Sequence, residues 1–141
     1  MDFKQYTDVI YKIVGAAMQV HSELRCGLLE SIYQEALSLE LSDMGIKNEI
    51  ESVVHIHYHG HVLDKTYRID MMVGDIILEL KSVQGINSDH RAQLCNYLRL
   101  TKKPVGLLIN FGEKHLYGER WGYDEISNEC FRLDVNMERV L

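Results

Sequence analysis

Asp70, Glu79 and Lys81 are the residues whose types and spacing bear most directly on chemistry. Two carboxylates offer hard oxygen ligands that suit Mg²⁺ or Mn²⁺. Lys81, two residues beyond Glu79, points to the same side. The pair Gly74-Asp75 sets their relation, because a two-residue turn fixes the register of the strands on either side. Val73 then pairs with Ile76, Met71 with Leu78 and Ile69 with Leu80 on one apolar face, and Met72 with Ile77, Asp70 with Glu79 and Arg68 with Lys81 on the other. Opposed side chains carry Cβ atoms about 4.5–5.5 Å apart. Two acids so placed repel unless a cation bridges them, one keeps a proton, or Arg68 and Lys81 neutralise them diagonally. The hairpin alone leaves open a solvated ladder of ion pairs, Asp70 to Lys81 and Arg68 to Glu79.

The flanking elements add polar groups to the same region. Ile10, Ile13, Val14, Ala17 and His21 recur at helical spacing between about residues 5 and 22, and Leu29, Ile32, Ala36 and Leu39 do so between about 28 and 44. Gly27 separates the two helices and is able to take the positive φ of a turn. Glu30 lies just after the Gly27 turn on the second helix, with Tyr33 three residues on, so both share a face. After Gly45 the period becomes two, and strands are expected over about 47–58, 61–73 and 76–83. A third helix over about 88–100 carries Gln93 and Tyr97 four residues apart, and the apolar run Val105 to Ile109 suits a strand buried on both faces. His115 to Tyr123 suggests one more strand, and the last dozen residues are ambiguous.

Gly27-Leu28-Leu29-Glu30-Ser31-Ile32-Tyr33 matches a GxxExxY signature. Asp70, then Glu79-Leu80-Lys81, then Gln93-Leu94-Cys95-Asn96-Tyr97 resemble the successive motifs of the PD-(D/E)XK nucleases. Over roughly residues 8 to 121 the chain resembles the GxxExxY protein family, a branch of that superfamily close to the RecB-type nucleases. The resemblance implies an α/β (α+β) restriction-endonuclease-like core, with a mixed central sheet, a three-stranded antiparallel meander and flanking helices. It implies that Asp70, Glu79 and the carbonyl of Leu80 ligate Mg²⁺ or Mn²⁺, that Glu30 completes the acidic set, and that Lys81 activates water or stabilises charge. Gln93 and Tyr97 would position the metal site or the phosphate. His21 matches a metal-ligating histidine of some RecB-type relatives, with a core or capping role as the alternative. Two positions depart from the pattern: Arg25-Cys26 stands where members usually carry Gly-Pro, and Ile69 stands where the superfamily's proline would be.

The remaining features bound this reading. A chain of 141 residues with 46% hydrophobic and 26% charged residues and one proline is expected to form a single domain over 1–141. The net charge of −6 counts against a protein that coats nucleic acid through massed cations, while Arg91, Arg99, Lys102 and Lys103 are candidates for a local basic rim. Cys26, Cys95 and Cys130 have no paired spacing and read as reduced thiols, and the lack of a signal or spanning pattern suggests a cytoplasmic protein. His55, His57, His59 and His61 alternate, but the turn at His59-Gly60 splits them, so they read as a wet face opposite a buried Ile56 and Tyr58. The expectation is a nuclease acting on nucleic acid, DNA ahead of RNA, with homo-oligomerisation open. The alternatives are a non-catalytic nucleic-acid-binding or interaction module on the same scaffold and a different metal-assisted hydrolysis.

Overall fold

Gly74 takes φ +56°, and the turn it makes pairs Val73 with Ile76, Met72 with Ile77 and Met71 with Leu78. The computed structural model describes residues 1–141 and builds outward from this hairpin. After a short 3₁₀ turn, α1 (Thr7–Leu24) and α2 (Glu30–Asp43) precede β1 (Glu49–Tyr58), β2 (His61–Val73) and β3 (Ile76–Lys81). They are followed by α3 (Ser88–Thr101), β4 (Val105–Asn110), β5 (Tyr117–Asp124) and β6 (Glu129–Leu133). The six strands lie in chain order. Only β3 and β4 run parallel, joined through α3 as a parallel pair requires. The mixed sheet, its antiparallel meander and the flanking helices are the restriction-endonuclease-like architecture.

Helices cover both faces of the sheet. Ile10, Ile13, Ala17 and Val20 of α1 and Tyr33, Leu37 and Leu41 of α2 pack with Met71, Leu78, Leu80, Leu107 and Ile109. On the other face, Leu94, Tyr97 and Leu98 of α3 pack with Ile69, Ile77, Leu108 and Tyr123. Every residue of β4 is buried, which is why its run is apolar without alternation. Each fully buried aliphatic side chain contributes on the order of 1.5–3 kcal/mol.

Four details differ from the sequence expectation. Ile69 lies on the α3 face, opposite Leu80, because β2 changes course at Asp70. Tyr58 is 63% exposed, since the outer part of the β1–β2 hairpin extends beyond either helical layer. Residues 129–133 form a sixth strand against β5. Cys95 and Cys130 are joined in a disulfide, their Cα atoms 5.9 Å apart, and only Cys26 is free. The pairing depends on α3 lying over β6, a tertiary contact that a 35-residue separation hides. No helix is long and apolar enough to cross a membrane.

Candidate active site

The regular pairing of β2 with β3 ends at Met71 and Leu78, one residue short of the two acids. Beyond that point the strands part. The Leu80 amide donates to Oδ2 of Asp70 at 2.8 Å instead of to a strand partner. The Asp70 carbonyl accepts from Nε2 of Gln34, on α2, at 2.7 Å. On the other side of β2, Glu51 adopts φ +53° inside β1, a left-handed conformation that non-glycine residues rarely hold within a strand. Its Oε1 accepts from the same Gln34 amide at 3.2 Å. Thus Asp70 does not face Glu79 as a ladder pair; its carboxylate lies in the plane of the sheet, in a gap between two strands. The amide and carbonyl of one strand residue point the same way, so the Leu80 carbonyl opens into this gap as well.

Glu79 and Lys81 enter from the α3 face, in the same alternation as Ile77. Glu79 is 2% exposed. Burial, then the charge and hydrogen bond of Asp70, push its carboxyl up to about 9, against the lowering influence of Lys81. Nζ of Lys81 lies 3.8 Å from Oε2 of Glu79 and donates to Oε1 of Gln93 at 3.1 Å. The Gln93 amide donates in turn to the Tyr97 hydroxyl at 3.0 Å. Burial and the nearby Glu79 raise Tyr97 above the usual phenol value. The i, i+4 spacing on α3 therefore makes a relay that holds the ammonium over the acids.

Two close carboxyl groups, one of them buried, are unfavourable together unless they share a proton or a cation. A gap lined by Asp70, Glu79 and the Leu80 carbonyl offers hard oxygen donors without a soft ligand, the chemistry that fits Mg²⁺ or Mn²⁺.

Glu30 stands at the first turn of α2, exposed but close enough that its charge contributes to raising Glu79. Its approach is set by Tyr33, whose ring stacks on Phe111 at 4.6 Å and whose hydroxyl donates to the Arg25 carbonyl while accepting from the Leu28 amide at 3.1 Å. Gly27, at φ +103°, makes the bend between them, and the Ser82 hydroxyl ties the Leu28 carbonyl to the end of β3 at 2.7 Å. The signature spacing thus serves to hold a loop and aim an acid. The structure brings Asp70, Glu79, Lys81, Gln93 and Tyr97 together and leaves Glu30 at the edge; no three Asp, Glu, His or Cys side chains converge at ligating distance. His21 is turned elsewhere. Its Nε2 lies 2.8 Å from the Glu113 carbonyl, and its ring packs against Phe111.

Arg91 does not belong to a free basic rim. It binds Glu119 of β5 with Nε at 2.9 Å and Nη2 at 2.7 Å. Tyr117 and Trp121 donate to the same carboxylate, and Arg132 lies 3.7 Å away. Lys103 pairs with Asp75 at the far end of β3 from Lys81, and Lys102 caps α3 beside it. The Glu119 cluster fixes α3 against the sheet two residues before Gln93. Burial would raise the Glu119 carboxyl, but the hydrogen bonds from Arg91, Tyr117 and Trp121 and the charge of Arg132 bring it to about 2. Its stabilisation is complete above the ordinary glutamate value of 4.5 and disappears as the pH falls towards 2. Glu119→Gln should cost about 2–3 kcal/mol in urea unfolding at neutral pH, less than a fully enclosed pair because Arg91 is partly open to solvent. The difference from wild type should shrink as the pH is lowered.

Gln34 and Glu51 were not singled out from sequence. Gln34 follows Glu30 by four residues and so shares its face of α2, a signal that was there to use. Glu51 offered none, because a left-handed residue inside a strand has no local signature when it is not glycine. Gln34→Ala would leave the Asp70 carbonyl unpaired and should cost about 1–3 kcal/mol by chemical denaturation.

The sequence model of the PD-(D/E)XK nuclease superfamily matches residues 7–120. No curated protein matches the chain. Among solved structures, that of SSO0001 superposes with a TM-score of 0.50 at 20% identity, covering 87% of this chain. The chain spans 63% of that protein's length, and at this identity the likeness is one of fold.

Proposed function

Because the chain belongs to the PD-(D/E)XK nuclease superfamily, whose members generally use divalent metals, we propose that it is a nuclease hydrolysing nucleic-acid phosphodiester bonds, with Asp70 and Glu79 as metal ligands and Lys81 as the charge-stabilising group. The observation that carries this reading is the gap between β2 and β3, where Asp70 and the buried Glu79 face one space and Lys81 is held over it by Gln93. The GxxExxY branch is supported by the part that Gly27, Glu30 and Tyr33 play in shaping the loop beside that gap.

A bound Mg²⁺ or Mn²⁺ would polarise the phosphoryl group and lower the pKa of a water. The chain's own groups do the rest. Asp70, Glu79 and the Leu80 carbonyl would hold the ion, with the Leu80 amide orienting the Asp70 carboxylate for that task. Lys81, directed by Gln93, positions the attacking water and stabilises the negative charge that builds on the phosphoryl oxygens. Tyr97 supports Gln93 and closes the site on the α3 side. Glu30 adds negative charge at the mouth of the gap.

Purified protein incubated with Mg²⁺ or Mn²⁺ and labelled single- and double-stranded DNA and RNA tests the proposal. Cleavage that depends on metal and on Glu79 supports it. Cleavage that survives Glu79→Ala and Lys81→Ala unchanged refutes it.

A further inference from the structure

The outer half of the β1–β2 hairpin is the one part of the sheet without a helical cover, and every residue from 57 to 68 is exposed. An isolated two-stranded ribbon is marginal by itself, and this one displays Val53, Tyr58, Val62, Leu63 and Tyr67 to solvent. Its charge also runs against the rest of the chain. Residues 52–68 hold one acid, Asp64, alongside Lys65, Arg68 and four of the seven histidines, in a protein of net charge −6.

This arm is continuous with the catalytic centre. The Tyr67 ring meets Tyr97 edge-on at 5.5 Å, and Tyr97 bonds Gln93, which holds Lys81. Tyr67 pairs with Val54, and Tyr58 pairs with His61 at the tip. From Tyr67 to His61 the strand covers roughly 20 Å. The face that leaves the active site therefore carries aromatic rings at both ends and Lys65 between them.

We propose that this arm grips single-stranded nucleic acid and leads it to the gap at Asp70, with Tyr58 and Tyr67 stacking on bases and Lys65 and His61 meeting phosphates. The inference rests on the nuclease reading above. Exposed rings accept unstacked bases of any sequence, and interleaved cations follow the backbone. A second copy of the chain is a poorer occupant. The register shift between His55 and His57 breaks the regularity of the β1 edge that strand pairing would need.

Fluorescence anisotropy in EDTA, with labelled single-stranded DNA, single-stranded RNA of the same sequence and duplex DNA, reads binding without cleavage. The double variant Tyr58→Ala/Lys65→Ala alters two exposed side chains remote from the acids and should weaken single-strand binding by roughly tenfold or more. Tyr58→Phe should bind like wild type. Turnover of a small chromogenic phosphodiester in Mn²⁺ should be equal in the double variant and wild type, which separates grip from chemistry. A wild type that binds and cuts while the double variant binds equally well overturns the arm and leaves the nuclease reading standing. Light scattering in which wild type is dimeric and the variant monomeric, with binding unchanged, also overturns it in favour of a second copy. A wild type that neither binds nor cuts any of the three nucleic acids removes both readings together.

Discussion

Replacing Lys81 by alanine should lower metal-dependent cleavage by about two orders of magnitude or more, with little change in substrate affinity. Removal of one group aimed at developing charge commonly costs on the order of 10²–10³ in rate. Lys81 is unusually well prepared for that part, since its side chain is 15% exposed, Gln93 fixes its direction, and Glu79 lies 3.8 Å away. Single-turnover rates at saturating oligonucleotide measure the effect. Gln93→Ala should show a smaller loss in the same assay, because it frees the ammonium without removing it, and Lys81→Arg should not restore wild-type rates, as the guanidinium fork differs in shape from a point charge. A Lys81→Ala protein that turns over at the wild-type rate would place the reaction elsewhere.

Addition of Mn²⁺ should raise the melting temperature by about 5–10 °C at concentrations a hundredfold above the dissociation constant. Ligand binding to the folded state alone contributes about 2.7 kcal/mol at that saturation, and a chain of this size melts about 2–4 °C higher per kcal/mol. Asp70→Asn should abolish the increment. Glu79→Gln should abolish it too, while making the metal-free protein more stable than wild type near neutral pH, because the amide escapes the cost that burial and Asp70 impose by forcing the Glu79 carboxyl to keep a proton in the folded state. That opposite pair of signs, stabilising without metal and inert to it, separates a metal site from a structural ion-pair ladder. In a ladder, Glu79→Gln would weaken the fold and the metal would not matter.

The turn at Gly74 and the apolar alternation that follows were legible from the residues, since they depend on neighbours in sequence. Helix ends and strand ends fell within a few residues of the expectation for the same reason. The register of the hairpin was readable only to Met71 and Leu78. It was projected three residues too far because nothing local says that Gln34 takes the Asp70 carbonyl, that Asp70 takes the Leu80 amide, or that Glu51 turns left-handed. A ladder continues only while its backbone groups lack better partners, and those partners came from another helix. The site residues were legible as a set through their motif spacing, whereas the orientation of His21 and the pairing of Arg91 with Glu119 depend on α1 and α3 docking and could not be read. The Cys95–Cys130 bond was hidden for the same reason.

The gap between β2 and β3 draws Gln34 and Glu30 from one helical layer and Lys81, Gln93 and Tyr97 from the other side of the sheet. Such a centre has no partial form: loosening either layer scatters it, so competence and complete folding should vanish at one urea concentration. A polypeptide still leaving the ribosome, with its third helix not yet seated, would carry the acids of β2 and β3 without the Gln93 and Tyr97 that steady the ammonium beside them.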